Sequence, residues 1–553
     1  MNSVEIKVDN KVKRYPVGIT TGALFKSSEN DKYDDNPVVA SIVQGELKSL
    51  SYHLNYDAEV SPIYLFSSLG KRVYRHSICF LLSYASSLLY NDDQLLIRHS
   101  LGDGFLFTFI NREVSEDDVI KLADLMKKTA ADNLPIEKLK MTQKEAKERL
   151  SIKTHPETLK LLETNNESVS TFFSLNSFID TSYEALVPNT GILTLWELRK
   201  YDNGLLLRYP QERSFLELKE FTDNSVLYET LKTDGYNCHV LGVESIGDLN
   251  EKIIKGESNR LIELSEAMLN RSIGLAASRI KKNSKIRFVL IAGPSSSGKT
   301  TSSLKLCSQL EILGYKPIKI SLDDYYLPVD DIPKDKYGRT DFEALEALNL
   351  PLFREQMEEL QRGEDVHLMK YSFKTRERKK EDKITKLEDN SIVVVEGIHG
   401  LNPSLLPNID KEEIFRIYIS ALTTVNIDDH NRISTTDNRI IRRVVRDART
   451  RGISATETLS MWHMVENGEK NHIFPYQNNA DVMINSALCY ELAVLAPKAI
   501  NELRSVQSTS TEAYTLARCL LKFLNLFYTI PSEQVPSDSV LREFIGGSIY
   551  GAI

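Results

Sequence analysis

Short apolar runs alternate with longer amphipathic stretches through residues of about 281–553. The runs are rich in β-branched residues, which is typical of parallel strands buried on both faces. The stretches between them have helical periodicity, so the pattern indicates an α/β region with helices flanking a parallel sheet. The predicted strands are Ile286–Ala292, Pro317–Ser321, Ile392–Val395, Phe415–Ile419 and Val482–Ile484.

The first 62 residues predict a small β-rich domain. Val4–Val8 alternates as a strand, Asn10 lies in a polar turn, and Val12–Pro16 follows as a second strand. A polar loop over Ser27–Asn36 then precedes another apolar run, Val38–Val43. Because the apolar runs are short and separated by turns, we expect strands rather than helices.

Residues 63–225 predict a mixed α/β domain. His76–Tyr90 is apolar and long enough for a buried helix, and Ser115 with Asp118 fits the capping box that starts a second helix. Two later apolar runs predict strands. They are Ile192–Leu198 and Leu205–Tyr209.

The length of 553 residues is too great for one ordinary domain. A helical connector over residues 226–280, with one helix at Asn259–Ile280, is predicted to lead into the α/β region at 281–553. The net charge of -8 argues against broad, charge-driven binding to nucleic acid or anionic membrane. Five scattered cysteines fit a reducing compartment, and there is no apolar run of about 18 residues. We therefore expect a soluble cytoplasmic protein with no membrane partner.

The strongest chemical signal follows the first strand of the C-terminal region. Residues 293–300 read GPSSSGKT, which satisfies the phosphate-binding pattern G-x-x-x-x-G-K-[ST]. A helix over Thr300–Leu313 follows, so its N-terminus and the loop amides face the phosphates of ATP. Lys299 is expected to reach the β- and γ-phosphates, and Thr300 to ligate Mg²⁺. The predicted ATP-binding residues are Gly293, Ser295, Ser296, Ser297, Gly298, Lys299, Thr300 and Thr301.

Carboxylates follow two further predicted strands. Asp323 and Asp324 come directly after Pro317–Ser321, and Glu396 follows Ile392–Val395. Ligands of an open parallel sheet bind beyond the carboxyl ends of its strands. One of the two aspartates is therefore a candidate base for an attacking hydroxyl, and Glu396 is a candidate Mg²⁺ ligand.

An arginine-rich helix is predicted over residues 435–452. Arg439, Arg442, Arg446 and Arg449 are spaced three or four apart and share one face. Arginines on such a face can close over the γ-phosphate and spread its charge. A second basic cluster, Lys374–Lys380, is predicted to form a polar loop.

Residues of about 285–495 resemble the uridine kinase branch of the phosphoribulokinase/uridine kinase family. Asp323-Asp-Tyr-Tyr looks like the family's Asp-x-Phe-Tyr motif, whose aspartate is the catalytic base. Glu396-Gly-Ile matches its metal site, and residues 443–452 match its lid. The resemblance implies that Asp323, Lys299, Arg446 and Arg451 are catalytic and that Thr300, Asp323 and Glu396 hold the metal.

The same resemblance implies an acceptor site. Asp341-Phe-Glu343 is similar to the stretch that binds ribose hydroxyls, and Tyr371-Ser-Phe resembles the motif of the base pocket. The family's base-contacting histidine falls on Arg376. The implied substrate-binding residues are Glu343, Tyr371, Arg376 and Arg443. Since the base pocket departs from the family pattern, phosphoryl transfer is better supported than uracil recognition.

The front half resembles the N-terminal region of threonyl-tRNA synthetases. Residues 1–62 look like a TGS domain, a β-grasp unit, and residues 63–225 look like the adjoining second additional domain, which edits mischarged tRNA. Of four polar editing residues only His76 is kept, and the others fall on Phe80, Ser182 and Leu186. The resemblance implies a binding or regulatory module without hydrolytic activity.

Together the motifs favour an ATP- and Mg²⁺-dependent enzyme that phosphorylates the 5′-hydroxyl of a ribonucleoside such as uridine or cytidine. One alternative is a kinase for another small hydroxyl-bearing metabolite. Another is an RNA-associated P-loop NTPase switch, although no Asn-Lys-x-Asp guanine motif occurs and Asp335-Lys-Tyr-Gly338 lies in a polar stretch. RNA binding by the N-terminal half and homo-oligomer formation are left open.

Overall fold

The first unit of the chain is a five-stranded sheet in the order β2-β1-β7-β4-β5. The computed structural model describes residues 3–26, 36–165, 167–210, 217–334, 338–372, 377–508 and 511–551, so most of the predicted loop Ser27–Asn36 lies outside the described residues. The predicted strands Val4–Val8, Val12–Pro16 and Val38–Val43 are confirmed. The elements are β1 (Ser3–Val8), β2 (Lys11–Pro16), β3 (Ile19–Thr20), α1 (Thr21–Lys26), β4 (Val38–Val43), β5 (Glu46–Lys48), β6 (His53–Leu54) and β7 (Ala58–Tyr64).

The second unit packs helices against a four-stranded sheet, β13-β14-β9-β8, and a three-stranded sheet, β10-β11-β12. The predicted capping box is present, with Ser115 and Asp118 bonding each other's backbone. The elements are α2 (Ser68–Leu89), β8 (Leu95–Leu101), β9 (Gly104–Phe109), α3 (Glu116–Ala131), β10 (Glu137–Thr142), α4 (Gln143–Arg149), α5 (Pro156–Thr164), β11 (Val169–Leu175), β12 (Phe178–Thr181), β13 (Glu197–Tyr201) and β14 (Gly204–Arg208).

The predicted strand Ile192–Leu198 is wrong over most of its length. Residues 190–192 form a 3₁₀ turn, and the strand starts only at Glu197. The Thr190 hydroxyl donates a 2.6 Å hydrogen bond to the carbonyl of Thr129, near the end of α3. This contact anchors the segment to a helix, so Leu193 is buried and Ile192 and Trp196 are half-buried without a neighbouring strand.

The C-terminal region is built on a parallel sheet in the order β16-β19-β15-β20-β21. All five predicted strands are present, which confirms the predicted fold class. Strand β15 lies in the middle. The chain runs from it to β16 and β19 on one side and then crosses to β20 and β21 on the other side, so the strand order reverses next to β15. Such a switch point opens a ligand crevice at the carboxyl ends of the strands.

The helices of this region flank the sheet, and a hairpin extends from it. The predicted polar loop Lys374–Lys380 is wrong for residues 377–380, which pair with β17 in this hairpin, while 373–376 lie outside the described residues. The helices that precede this sheet are α6 (Ser225–Leu241), α7 (Ile246–Ile254) and α8 (Ser258–Lys282). The elements that follow are β15 (Phe288–Ala292), α9 (Lys299–Ile312), β16 (Lys316–Ser321), α10 (Leu350–Gln361), β17 (Val366–Ser372), β18 (Glu377–Thr385), β19 (Ser391–Glu396), β20 (Ile414–Ser420), α11 (Thr435–Arg451), α12 (Ala455–His472), β21 (Val482–Asn485), α13 (Glu491–Arg504), α14 (Thr511–Leu524) and α15 (Arg542–Ile545).

The three helices α6, α7 and α8 precede the parallel sheet. Leu269, Ile273 and Ile280 of α8 share one buried cluster with Val289 and Leu310. The predicted connector therefore contributes to the hydrophobic core of the C-terminal region. None of the helices in the described ranges combines the length and apolarity needed to cross a membrane.

Candidate active site

The loop between β15 and α9 has the backbone geometry of a phosphate cradle. Ser296 and Gly298 both have positive φ, +60° and +79°, which turns successive amides toward the crevice. A Cβ at Gly298 would come 2.5 Å from Val540 Cγ1, so a larger residue does not fit there. No side chain in the described part of the chain caps α9, and its first amides stay available to an anion.

Lys299 and Thr300 begin α9 at the floor of this cradle. The Lys299 ammonium donates to the carbonyls of Gly293 and Pro294, at 2.9 and 3.0 Å. The Thr300 hydroxyl lies 3.2 Å from Glu396 Oε1 at the end of the adjacent strand β19. A hydroxyl beside a carboxylate, both oxygen donors, is a suitable ligand pair for Mg²⁺.

Asp323 faces the same crevice from the end of β16. The strand register places Ser321 opposite Glu396, and Asp323 follows two residues later. Asp323 is exposed at the mouth of the crevice, but the walls around it displace much of the surrounding water. This desolvation, together with repulsion by the charge of Glu396, raises the pKa of Asp323 to about 6. Asp324 points the other way, is buried, and lies 3.3 Å from the Lys370 ammonium.

Glu343 reaches the crevice from the segment before α10. Burial and the nearby Glu469 raise the pKa of Glu343 to about 7, while Arg443 and Lys299 act in the opposite direction. A Cβ at Gly468 would come 2.3 Å from Glu343 Cγ, so this glycine leaves the space that the glutamate occupies. Glu343 is thus a partly buried carboxylate with a perturbed pKa beside the phosphate cradle.

The arginine helix α11 does not present one solvated face to the crevice. Arg439 pairs with buried Glu469 and donates to the carbonyl of Ser295, and Arg442 donates to the carbonyl of Ser296 at 3.3 Å. These two arginines therefore hold the outer side of the phosphate loop, which corrects the expectation of a single lid face. Arg449 instead bonds the carbonyls of Glu543 and Phe544.

The remaining arginines of α11 lie nearer the crevice. Arg443 donates to Ser295 Oγ at 3.0 Å, and Arg443, Arg446 and Arg451 all lie within 3.4 Å of Asp447 carboxylate oxygens. One buried carboxylate therefore gathers three cations. Because a single negative charge does not neutralise three, these guanidinium groups retain capacity for an anionic ligand.

Several site residues had no signal in a local motif. Glu469 accepts from the Ser295 amide at 3.3 Å, Ser486 donates to the Ser297 carbonyl, and Glu543 accepts from Thr301 at 3.2 Å. Glu543 also gives the segment at 542–548 a structural role, because its helix α15 packs against α11 and its carboxylate accepts from Thr301 in the first turn of α9. Of the predicted acceptor residues, Tyr371 has a described backbone only, in β17, and Arg376 lies outside the described residues.

The four positions of the editing pattern lie in the second unit without forming a polar site. Phe80 and Leu186 are buried in the apolar core, and Ser182 donates to the Glu184 carbonyl. His76, one helical turn before Phe80 in α2, lies on the wall of a cavity. Burial, with Arg75 nearby, lowers the pKa of His76.

A buried ionic cluster joins the second unit to the C-terminal region. Asp180 accepts a 2.6 Å hydrogen bond from His430 Nδ1, and His155 Nε2 lies 3.7 Å from its other oxygen. Burial lowers the pKa of His155, whereas Asp180 outweighs burial and raises that of His430 to about 9. His430 is therefore cationic at neutral pH, and this ion pair connects residues 250 positions apart.

These features define a P-loop kinase fold in the C-terminal region. Residues 288–493 match the model of the phosphoribulokinase / uridine kinase family, and this part of the predicted resemblance is confirmed. Among solved structures, the chain is similar to a possible uridine kinase from Bacillus stearothermophilus, with 17% identity over 36% of this chain and 89% of that one and a TM-score of 0.25. It is also similar to D-glycerate 3-kinase from Cryptococcus neoformans, with 15% identity over 49% and 90% and a TM-score of 0.23.

The N-terminal half is similar to threonine–tRNA ligases, as predicted. The ligase of Thermotoga maritima is 28% identical over 200 residues, which are 35% of this chain and 30% of the ligase. That of Vesicomyosocius okutanii is 30% identical over 164 residues, 29% of this chain and 26% of the ligase. The chain thus spans about 30% of the length of the curated relatives it matches.

Proposed function

We propose that the protein transfers the γ-phosphoryl group of ATP to the 5′-hydroxyl of a ribonucleoside, with Mg²⁺ as cofactor. The observation that carries this proposal is the convergence of three groups at one end of the parallel sheet. They are the phosphate cradle with Lys299, the Thr300–Glu396 oxygen pair, and the carboxylate of Asp323 with its raised pKa. Each has a distinct task in phosphoryl transfer.

The residues present fit ATP and Mg²⁺. The hydroxyls of Ser296 and Ser297 are buried and have no hydrogen-bond partner in the described structure, and they flank the uncapped start of α9. Polar atoms left unpaired at a helix N-terminus suit phosphate oxygens. Thr300, Glu396 and Asp323 would hold Mg²⁺, which neutralises phosphate charge when bound.

The protein's own residues then carry the transfer. Asp323 accepts the proton of the attacking hydroxyl, since its pKa lies closer to neutrality than that of an ordinary aspartate. Lys299, Arg446 and Arg451 stabilise the negative charge on the transferred group. Glu343, with Arg443 beside it, orients the sugar hydroxyls by accepting hydrogen bonds.

An acid-side loss of activity follows from the raised pKa of Asp323. The base must be ionised to accept a proton, so we expect kcat/KM for MgATP, which reports the enzyme before metal and nucleotide bind, to fall below about pH 6, roughly tenfold per pH unit. The measurement is initial-rate kinetics from pH 5 to 9 at limiting MgATP and saturating acceptor. A profile that stays flat down to pH 5 would contradict the assignment of Asp323 as the base.

The acceptor is tested by a coupled ADP-release assay over ribonucleosides, 2′-deoxyribonucleosides, sugars and glycerate. We expect turnover of uridine or cytidine, and a KM for the ribonucleoside about tenfold higher or more in Glu343→Gln. The effect on 2′-deoxyuridine should be smaller, because that substrate lacks one hydroxyl that Glu343 is proposed to bind. If the protein is inactive on every nucleoside but turns over another alcohol, the proposed substrate is wrong and that alcohol takes its place.

The melting temperature of Glu343→Gln at two pH values tests whether the substitution disturbs folding. Because the folded-state pKa of Glu343 is raised to about 7, its stabilising contribution is present below the ordinary pKa and is lost as the pH rises through about 7. The neutral glutamine should therefore raise the melting temperature relative to wild type at pH 8 but not at pH 4. A variant that melts earlier at both pH values would point to lost packing instead.

A further inference from the structure

A cavity lies between the second unit and the C-terminal region, and Pro294 and Arg439 on the outer side of the phosphate loop are part of its lining. Its volume is about 560 Å³, which is in the range of small-molecule sites. Helix α2 and strand β9 provide one wall. The segment from His430 to Arg439 provides the opposite wall, so both halves of the chain build the site.

Most cations that line this cavity have acidic partners. Arg72 bonds both Glu184 and Asp437, with distances from 2.7 to 3.1 Å. Arg439 is paired with Glu469, and His430 with Asp180. Four carboxylates therefore face three cations, so these groups carry a surplus of about one negative charge and need no further anion.

Arg75 and Arg432 are different, because neither has an ion pair with any described residue. The Nε atoms of both are buried without an acceptor in the described structure. Both guanidinium groups stack on the ring of Phe105, with Cζ 5.6 and 5.3 Å from its centre. One arginine comes from each half of the chain, and they meet over one aromatic side chain.

The two guanidinium groups destabilise each other in this setting. Burial, together with the charge of Arg75, lowers the pKa of Arg432 to about 10. Placing two like charges beside each other in a desolvated wall costs free energy unless an anion compensates them. Together with the surplus acid beside Arg72, the two arginines leave about one uncompensated positive charge in the wall. An anionic group such as a phosphate monoester supplies the opposite charge.

The rest of the cavity is too large and too apolar for an inorganic ion alone. Leu227, Leu231, Leu422 and Phe523 contribute apolar surface to it. We propose that the cavity binds a small phosphate monoester, with its phosphate held by Arg75 and Arg432 and its organic part against this apolar wall. Arginine suits this task because its planar donors match phosphate oxygens. The site does not depend on the proposed phosphoryl transfer.

The test uses the full chain with Lys299→Ala, which weakens anion binding at the phosphate loop. Phenyl phosphate is titrated into this protein by calorimetry, and phenol is the uncharged counterpart. We expect saturable one-to-one binding of phenyl phosphate and none of phenol. Adding Arg75→Gln or Arg432→Gln should raise Kd at least about tenfold, whereas Arg260→Gln, at an exposed arginine, should leave it unchanged.

A second measurement covers the case in which the glutamine variants do not fold. Crystals of the Lys299→Ala protein are soaked in selenate, and an anomalous peak is expected against Arg75 and Arg432. Absence of this peak together with no phenyl phosphate binding would overturn the proposal. So would binding that the Arg75→Gln/Arg432→Gln pair leaves unchanged in a folded protein. Kinase activity is not part of either readout, so failure here is distinguishable from failure of the proposed function.

Discussion

Replacing Asp323 with asparagine should lower kcat by about 10²- to 10⁴-fold, the range that a positioned general base contributes. Asparagine keeps the size of the side chain and can still accept a hydrogen bond, but it cannot take up the hydroxyl proton. ATP binding depends mainly on the phosphate loop and Lys299, and it should be kept within a few-fold. Single-turnover kinetics with radiolabelled ATP separate the chemical step from nucleotide binding.

Asp324→Asn is the matched control for this prediction. The neighbouring aspartate is buried and lies against Lys370, on the side away from the crevice. Its substitution should change kcat by no more than about threefold, because the group does not face the reacting atoms. A large loss in Asp324→Asn with little loss in Asp323→Asn would exchange the roles of the two residues.

Local sequence patterns predicted the parallel strands and the phosphate loop, which are determined by residues close together in the chain. Each strand of the parallel sheet is an uninterrupted apolar run, and such a run has few alternatives to burial on both faces. The phosphate loop was also predictable from a short motif, because its backbone conformation requires glycines at fixed positions. The resemblance added what spacing does not supply, above all Glu343 as a candidate acceptor-binding residue, which stays a prediction.

Contacts between residues that are far apart in the chain could not be predicted from local sequence patterns. The spacing of Arg439 and Arg442 correctly placed them near each other on a helix, but their acidic partners lie 30 and 49 residues further along. The same holds for Asp180 and His430, and for Arg75 and Arg432, which come from different halves of the chain. Which face of a charged helix is buried depends on tertiary packing, and one sequence does not display it.

Glu491→Gln is expected to cost about 3–5 kcal/mol of unfolding free energy, the typical loss when one partner of a buried ion pair is removed. Arg442 is fully buried, and its guanidinium donates to Glu491 at 2.5 and 3.1 Å. Without the carboxylate, the guanidinium charge remains in the core with no described acid to balance it. Denaturant unfolding at pH 7 measures the loss, and Glu263→Gln, in an exposed pair with Arg260, should cost less than about 1 kcal/mol.

A double substitution separates the stability of this ion pair from its role at the phosphate loop. Arg442→Met with Glu491→Leu removes both charges, and such apolar replacement of a buried pair is often neutral or stabilising. The unfolding free energy should therefore recover relative to Glu491→Gln. ATP affinity should stay reduced, because Arg442 also donates to the carbonyls of Ser296 and Ser486, while the Ser486 hydroxyl holds Ser297. If stability and ATP affinity recovered together, Arg442 would be a structural residue with no part in shaping the phosphate cradle.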